Sequence, residues 1–162
     1  MADDEEMGES VLELSERRLH LKIFDHWVSL LGGREFPELD EMQSEMEDET
    51  LAASFVIDLA PGLSEATLHF AGEQLMADYG GEQPLLGRKI DDLGRYSVIA
   101  RLADHFLEVV SNRAPIGFEA EFERQDGRQA AYRGILLPFS EDGSEINYIL
   151  GVISWVDKDA IH

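Results

Sequence analysis

Two apolar segments near the end of the chain, separated by a short polar insert, constrain the fold most. Residues 134–156 read GILLPFSEDGSEINYILGVISWV, and the insert at 140–144 contains Asp142-Gly143. This pattern predicts two antiparallel strands joined by a short hairpin. Both segments are apolar with little alternation, and a strand that is apolar on both faces must be covered on both faces. We therefore expect these strands at the centre of a sheet, with other parts of the chain packed on each side.

The composition agrees with one packed domain and narrows the classes of function. The chain has 162 residues, 44% of them hydrophobic, which predicts a true core. It contains no cysteine, so disulfides, iron–sulfur clusters and cysteine nucleophiles are excluded. The acidic start, MADDEEMGES, is unlike a secretory signal, and no apolar run is long enough to span a membrane. We expect a cytoplasmic protein with no membrane insertion.

The charge is strongly negative. The 34 acidic residues outnumber the 13 lysines and arginines, giving a net charge of −21. A surface of this sign repels nucleic acid, so no nucleic-acid partner is expected. The acidity indicates either simple solubility or a docking surface for a basic protein partner.

The first 33 residues predict a tail and a helix. Residues 1–9 are acidic and are expected to be a disordered tail. Ser10 and Glu13 fit a capping box that starts a helix over 10–33, and Gly32-Gly33 stop it. The apolar arc is wider than one sheet contact needs, which favours contact with the chain's own sheet and with a second copy, although one wide face buried in a monomer would also explain it. The candidate residues for a homodimer helix are Leu14, Leu21, Phe24, Trp27, Val28 and Leu31.

Residues 34–50 form an acidic segment. Seven acids and no base lie between Glu38 and Glu49, with Met42 and Met46 one helical turn apart. We interpret it as a solvated linker or a short acidic helix. The alternative is a methionine-studded acidic motif that binds a partner.

The remaining part, 51–157, mixes strands and helices. Short strands are predicted at 54–58 and 67–71, a short helix at 73–79, a helical turn at 90–93, an amphipathic helix at 96–111, and strands at 118–123 and 129–138.

This order of elements resembles a PAS domain, and several short motifs resemble the stand-alone bacterial PAS proteins grouped as PAS_5. The resemblance covers Phe24 to Trp155. The motifs are WVSLLGGR at 27–34, HFAGEQL at 69–75, LGRKIDDL at 86–93 and LLPFS at 136–140, followed by ILGV at 149–152. The acidic stretch 38–49 departs from the family pattern.

The resemblance implies an α/β (α+β) PAS fold. Its five-stranded antiparallel sheet has the order 2-1-5-4-3, with short helices on one face and the N-terminal helix covering the other. A ligand pocket is expected between the sheet and the helices of 73–111, although a filled core would use the same residues. The candidate pocket residues are Phe70, Leu75, Tyr79, Leu86, Leu102, Phe106, Leu137 and Val152.

No cofactor is expected, although haem and flavin are not excluded by the resemblance. The flavin photosensor chemistry of the family needs a reactive cysteine, which this chain lacks. His105 lies on the helix where haem-binding relatives place their ligand, so it is a low-ranking haem candidate. His20 and His26 are six residues apart and cannot share one metal on one helix face, so no metal site is expected.

The functional prediction is a non-catalytic bacterial signalling protein. No G-x-S-x-G or phosphate-loop motif is present, so no enzyme is expected. We expect a homodimeric sensor that acts through contacts with an unidentified protein partner and can take a small ligand. The alternatives are a ligand-free adaptor that uses its acidic surface and, ranked lower, a haem sensor.

Overall fold

The computed structural model describes residues 11–79, 86–93, 98–123, 127 and 129–157. Its helices are α1 (Val11–Ser29), α2 (Leu39–Gln43), α3 (Asp48–Ala52), α4 (Glu73–Tyr79), α5 (Val98–Arg101) and α6 (Ala103–Asn112), with 3-10 turns at Leu63–Glu65 and Ile90–Asp92. Its strands are β1 (Ser54–Asp58), β2 (Thr67–Ala71), β3 (Ile116–Glu123), β4 (Gln129–Phe139) and β5 (Tyr148–Asp157).

The five strands form one antiparallel sheet in the order β2-β1-β5-β4-β3, which confirms the predicted fold. The last strand lies at the centre, where Gly151 pairs with Phe55 of β1 on one side and Leu136 of β4 on the other. Residues 149–153 are all buried, so both faces of β5 are covered, and this explains why its sequence is apolar without alternation.

The helical face of the sheet, as we call it, carries Phe55, Leu136 and Gly151. A Cβ on Gly151 would meet the side chains of both other residues, so the three point to the same side. The rings of Phe55 and Phe106 are 6.1 Å apart at 62°, which places α6 over this face. The small residue at 151 leaves room for the Phe55 ring in the middle of the sheet.

The N-terminal face is the opposite side of the sheet, and α1 covers it. Successive strand residues point to opposite faces, so Ser154 lies across the sheet from Gly151. The ring Nε2 of His20 is 3.2 Å from the Ser154 hydroxyl, and the indole of Trp27 donates a 2.9 Å hydrogen bond to the carbonyl oxygen of Pro138. Helix α1 ends at Ser29, four residues before the predicted end, and Gly32 and Gly33 follow with positive φ.

The acidic segment is a packed cover and not a solvated linker along its length. Phe36 and Met42 are fully buried, and Leu39 is 7% exposed. Glu38 and Glu41 form a capping box at the start of α2, so acidic side chains stabilise the helix that carries the buried methionine. On the outside, the pairs His26–Glu45 (2.7 Å) and Lys22–Glu47 (3.3 Å) join α1 to this segment.

The helix predicted over 96–111 is two helices in the part that is described. The chain turns at Leu102, which has φ −87° and ψ 5° and lies between α5 and α6. The amides of Leu102 and His105 donate to carbonyls three residues back, at 3.1 and 2.9 Å, so the backbone tightens here. Leu102 is fully buried at this bend, and residues 96 and 97 lie outside the described residues.

The β4–β5 connection is longer than the predicted short hairpin and spans residues 140–147. Asp142 Oδ1 accepts hydrogen bonds from the amides of Ser144 and Glu145 and from the Ser140 hydroxyl, at 2.8 to 2.9 Å. Gly143 has φ +83°, which a side chain would disfavour. The Asp-Gly pair therefore organises a loop around a carboxylate.

Candidate functional site

The structure brings part of the predicted pocket together on the helical face. Leu102 is fully buried and Phe106 is 2% exposed, and the ring of Phe106 contacts that of Phe55. Leu75 of α4 is buried as well. These side chains belong to the packed core, as the filled-core interpretation expects of them.

Three other predicted pocket residues lie on the opposite face of the sheet. Leu137 and Val152 are adjacent to Leu136 and Gly151 along their strands, so they point to the N-terminal face. Phe70 pairs with Val56, which follows Phe55 in β1 and therefore points to the N-terminal face. Phe70 lies on the N-terminal face as well. These three cannot line one pocket with Phe106, because the sheet lies between them.

The last two predicted pocket residues do not complete the site. Leu86 is 55% exposed. Tyr79 ends α4, but its side chain lies outside the described residues.

His105, the haem candidate, packs against an aromatic ring. Its imidazole stacks on Phe118 with centroids 5.6 Å apart and planes at 25°. Its Nδ1 is 3.5 Å from a carboxylate oxygen of Glu108, which is close enough for an ion pair when the ring is protonated. Among the described residues, this nitrogen has no hydrogen-bond partner. The neighbours described here are thus a phenyl ring and a carboxylate on the same helix.

The six dimer candidates on α1 divide into anchors and exposed positions. Trp27 is buried by its contact with β4, and Phe24 stacks beside it with centroids 6.4 Å apart. Leu31 is half-buried and packs on the core. Leu21 and Val28 are 64% and 43% exposed, and we call these two residues the α1 stripe. The side chain of Leu14 lies outside the described residues.

An open cleft of about 550 Å³ lies on the N-terminal face, between α1 and the outer strands β3 and β4. None of its lining was predicted as a ligand site from the sequence. Helix residues on one wall and strand residues on the other line it: Arg17, His20, Leu21, Phe24, Gly117, Phe118, Glu119, Arg133, Gly134 and Ile135. Arg17 and Arg133 lie on largely apolar elements of a strongly acidic chain, and this was the signal that sequence reasoning missed.

Burial and a positive neighbour set the electrostatics of this cleft. Desolvation, followed by the charge of Arg133, lowers the pKa of His20 to about 4, so the imidazole is neutral at pH 7. The Arg133 side chain is only 17% exposed, and its Nη2 is 3.5 Å from Glu119, whose side chain is 73% exposed. The cation is thus held in the cleft while its carboxylate partner sits at the rim.

Among the described residues, no three histidines, aspartates or glutamates are grouped so that they could hold a metal ion. Within the same ranges, no helix is both long and apolar enough to cross a membrane.

Comparisons with known proteins agree with the fold. The sequence profile of PAS_5, described as a PAS domain, matches residues 16–154. The matched range begins inside α1 and includes the acidic segment of residues 34–50. No curated protein matches the chain.

Solved structures with similar folds are distant in sequence. The PAS domain of Bordetella pertussis BvgS is 18% identical with a TM-score of 0.51, over 68% of this chain and 79% of that one. The Rhodobacter sphaeroides LOV protein is 17% identical with a TM-score of 0.51, over 74% and 70%. A PAS domain from Colwellia psychrerythraea is 15% identical with a TM-score of 0.50, over 75% and 99%. These likenesses show the fold, and the profile match over most of the chain shows the family. The chain belongs to the PAS domain family, whose members are generally sensory, non-catalytic modules.

Proposed function

We propose that this protein is a non-catalytic signalling module that works through protein contacts and forms a homodimer through the α1 stripe. One observation carries the dimer: α1 is fixed to its own sheet by Trp27, yet Leu21 and Val28 remain exposed on the same helix. Exposed apolar side chains that share one face of a helix support an interface, and Leu21 and Val28 are two turns apart on one face of α1. A second α1 packed on the first would cover them.

A helix that contacts both its own sheet and a second subunit can pass a change between them. The side chains of His20 and Trp27 bond to β5 and β4, respectively. A shift of these strands would therefore move α1 and alter the dimer contact. This is the mechanism that we propose for signalling.

The test replaces the α1 stripe with charge. Leu21→Glu combined with Val28→Glu should convert a dimer into a monomer in size-exclusion chromatography with light scattering. Leu107→Glu is the matched control, since Leu107 is 53% exposed on α6, away from α1, and it should leave the dimer intact. A monomeric unsubstituted chain, or a dimer that survives the double substitution, contradicts the proposal.

Truncation is a poorer test of the same interface. A chain that starts at Thr50 would lose Trp27, Phe36 and Met42, which are buried in the core. Such a chain is expected to misfold, and its size would report on aggregation instead of on the dimer contact.

The acidic surface of α2 and α3 supports a second candidate, a ligand-free adaptor. Asp40, Glu45, Glu47, Asp48 and Glu49 are exposed around a buried apolar layer. Native mass spectrometry separates the candidates: a stoichiometric small molecule on the purified protein favours a sensor, and a dimer with no added mass favours the adaptor.

A further inference from the structure

The cleft between α1 and the outer strands is lined by both apolar and polar side chains. Leu21 and Phe24 on the helix and Ile135 on β4 make it largely apolar. Arg17 and His20 on the helix and Arg133 on β4 add polar groups that converge on the same space. Its volume of about 550 Å³ lies within the range of roughly 300–1,000 Å³ that is usual for small-molecule sites.

The charge of this lining is the reverse of the charge of the chain. The protein carries a net charge of −21, yet among the described residues the cleft lining holds two arginines, Arg17 and Arg133, and one carboxylate, Glu119. Arg133 is mostly buried, whereas Glu119 extends into solvent. The low pKa of His20, caused first by burial and second by Arg133, is consistent with a positive potential at this point.

We propose that this cleft binds a small amphipathic carboxylate, which is an apolar body with one anionic head. The body packs against Leu21, Phe24 and Ile135, and the head pairs with the guanidinium of Arg133. Arginine suits this role because its planar fork matches a carboxylate with two parallel hydrogen bonds. A purely apolar ligand would bury Arg133 further without a new partner, which costs free energy.

Glu119 sets the selectivity of the site. Its carboxylate is 3.5 Å from Arg133 and highly exposed, so a ligand carboxylate can replace it while Glu119 returns to water. A cationic ligand would meet two arginines instead. This site lies across the sheet from the helices that the family resemblance associates with ligands. It shares Leu21 with the proposed dimer contact, whereas Arg133 and Ile135 on β4 belong to the cleft and not to the α1 stripe.

The test uses decanoate below its micellar concentration with the full chain. Isothermal titration calorimetry should show saturable one-to-one binding of decanoate, with much weaker binding of 1-decanol and of acetate, which lack the head and the body, respectively. In NMR spectra, the resonances of α1, β3 and β4 should shift on binding, and the pKa of His20 should rise because an anion now faces the ring alongside Arg17, Arg133 and Glu119.

Two sets of variants locate the binding. Arg133→Gln should weaken decanoate about tenfold or more, because it removes a charge-assisted bond. Arg88→Gln makes the same charge change beside β2, at the opposite edge of the sheet, and should have no effect. Leu21→Glu should abolish binding, whereas Val28→Glu, which makes the same charge change on the same helix but outside the cleft lining, should retain it; since both residues are exposed, both variants should fold.

Three results would overturn the assignment. The first is a lack of saturable decanoate binding to the folded chain. The second is equal affinity for decanoate and decanol, which would identify an apolar groove only. The third is decanoate binding that Arg133→Gln leaves unchanged and that shifts resonances of α6 instead of α1, which would place the ligand on the helical face.

Discussion

The indole nitrogen of Trp27 donates a hydrogen bond to the carbonyl oxygen of Pro138, 2.9 Å away and 111 residues later in the chain. Trp27 is 5% exposed, so this bond forms in the interior. It joins the N-terminal helix to a strand next to the centre of the sheet, and proline at 138 contributes only an acceptor there.

We expect Trp27→Phe to lower the free energy of unfolding by about 1–3 kcal/mol, because the buried carbonyl of Pro138 loses its described side-chain donor. Urea denaturation monitored by circular dichroism measures this change. Leu107→Ala is the control: Leu107 is exposed, so the control should stay within about 0.5 kcal/mol of the unsubstituted protein. Equal stabilities for Trp27→Phe and the control would mean that the bond contributes nothing.

Two glycines on adjacent strands make a matched pair for testing close packing. A Cβ at Gly134 would lie 2.2 Å from the Val152 carbonyl oxygen and 2.6 Å from the Phe118 ring, whereas one at Gly117 would lie 3.8 Å from its nearest neighbour. Gly134→Ala should cost about 1–3 kcal/mol through overpacking. Gly117→Ala should be neutral or stabilising, because it reduces the freedom of the unfolded chain. Thermal unfolding of both variants measures the difference, and equal losses would contradict it.

His20 should make the protein less stable in mild acid. Its folded pKa of about 4 lies below the usual histidine value of 6.5. The unfolded chain therefore takes up the proton first, and stability falls as the pH drops from about 6.5 to about 4. After allowing for solvent screening of this partly exposed ring, we expect a loss on the order of 1–2 kcal/mol.

The His20→Gln variant isolates this contribution. Glutamine keeps an amide that can bond to Ser154 but takes up no proton. Urea denaturation at a series of pH values should show a shallower decline for the variant across this window. Parallel curves for the two proteins would show that His20 does not titrate as expected.

Asp142 should act at lower pH. Hydrogen bonds from the amides of Glu145 and Ser144 and from the Ser140 hydroxyl lower its pKa from 3.8 to about 2. The folded pKa is depressed, so its stabilising effect is present above the unfolded pKa and is lost as the pH falls through about 2. Asp142→Asn should lower the melting temperature at neutral pH more than at pH 2. Glu145→Gln is the control, because it removes a neighbouring charge but keeps the backbone amide that donates to Asp142.

The covering of both faces follows from the sequence because Leu136-Leu137 and Ile149-Leu150 are apolar on consecutive positions. The sheet order was implied by the resemblance to the PAS fold. The direction in which each side chain points does not follow. In a strand buried on both faces, alternation carries no polarity signal, so Leu137 and Val152 could not be assigned to one side before the pairing was known.

A short acidic helix, one of the two predicted forms of the acidic segment, is present as α2, but the burial of this segment was missed for a related reason. Seven acids dominate its composition, but its apolar residues, Phe36, Leu39 and Met42, are spaced so that all three are buried. The cleft was missed because its two walls, around Arg17 and Arg133, are more than a hundred residues apart in the chain and meet only when α1 crosses β4.

The buried layer beneath α2 and α3 also affects how fast another molecule could associate with this surface. Because Phe36 and Met42 are held in the core, the backbone that carries the carboxylates above them is anchored to the fold instead of moving as a flexible chain. Docking of a basic partner would therefore cost little conformational entropy in this segment. Its encounter would be steered over long range, so the association rate should fall steeply as ionic strength rises.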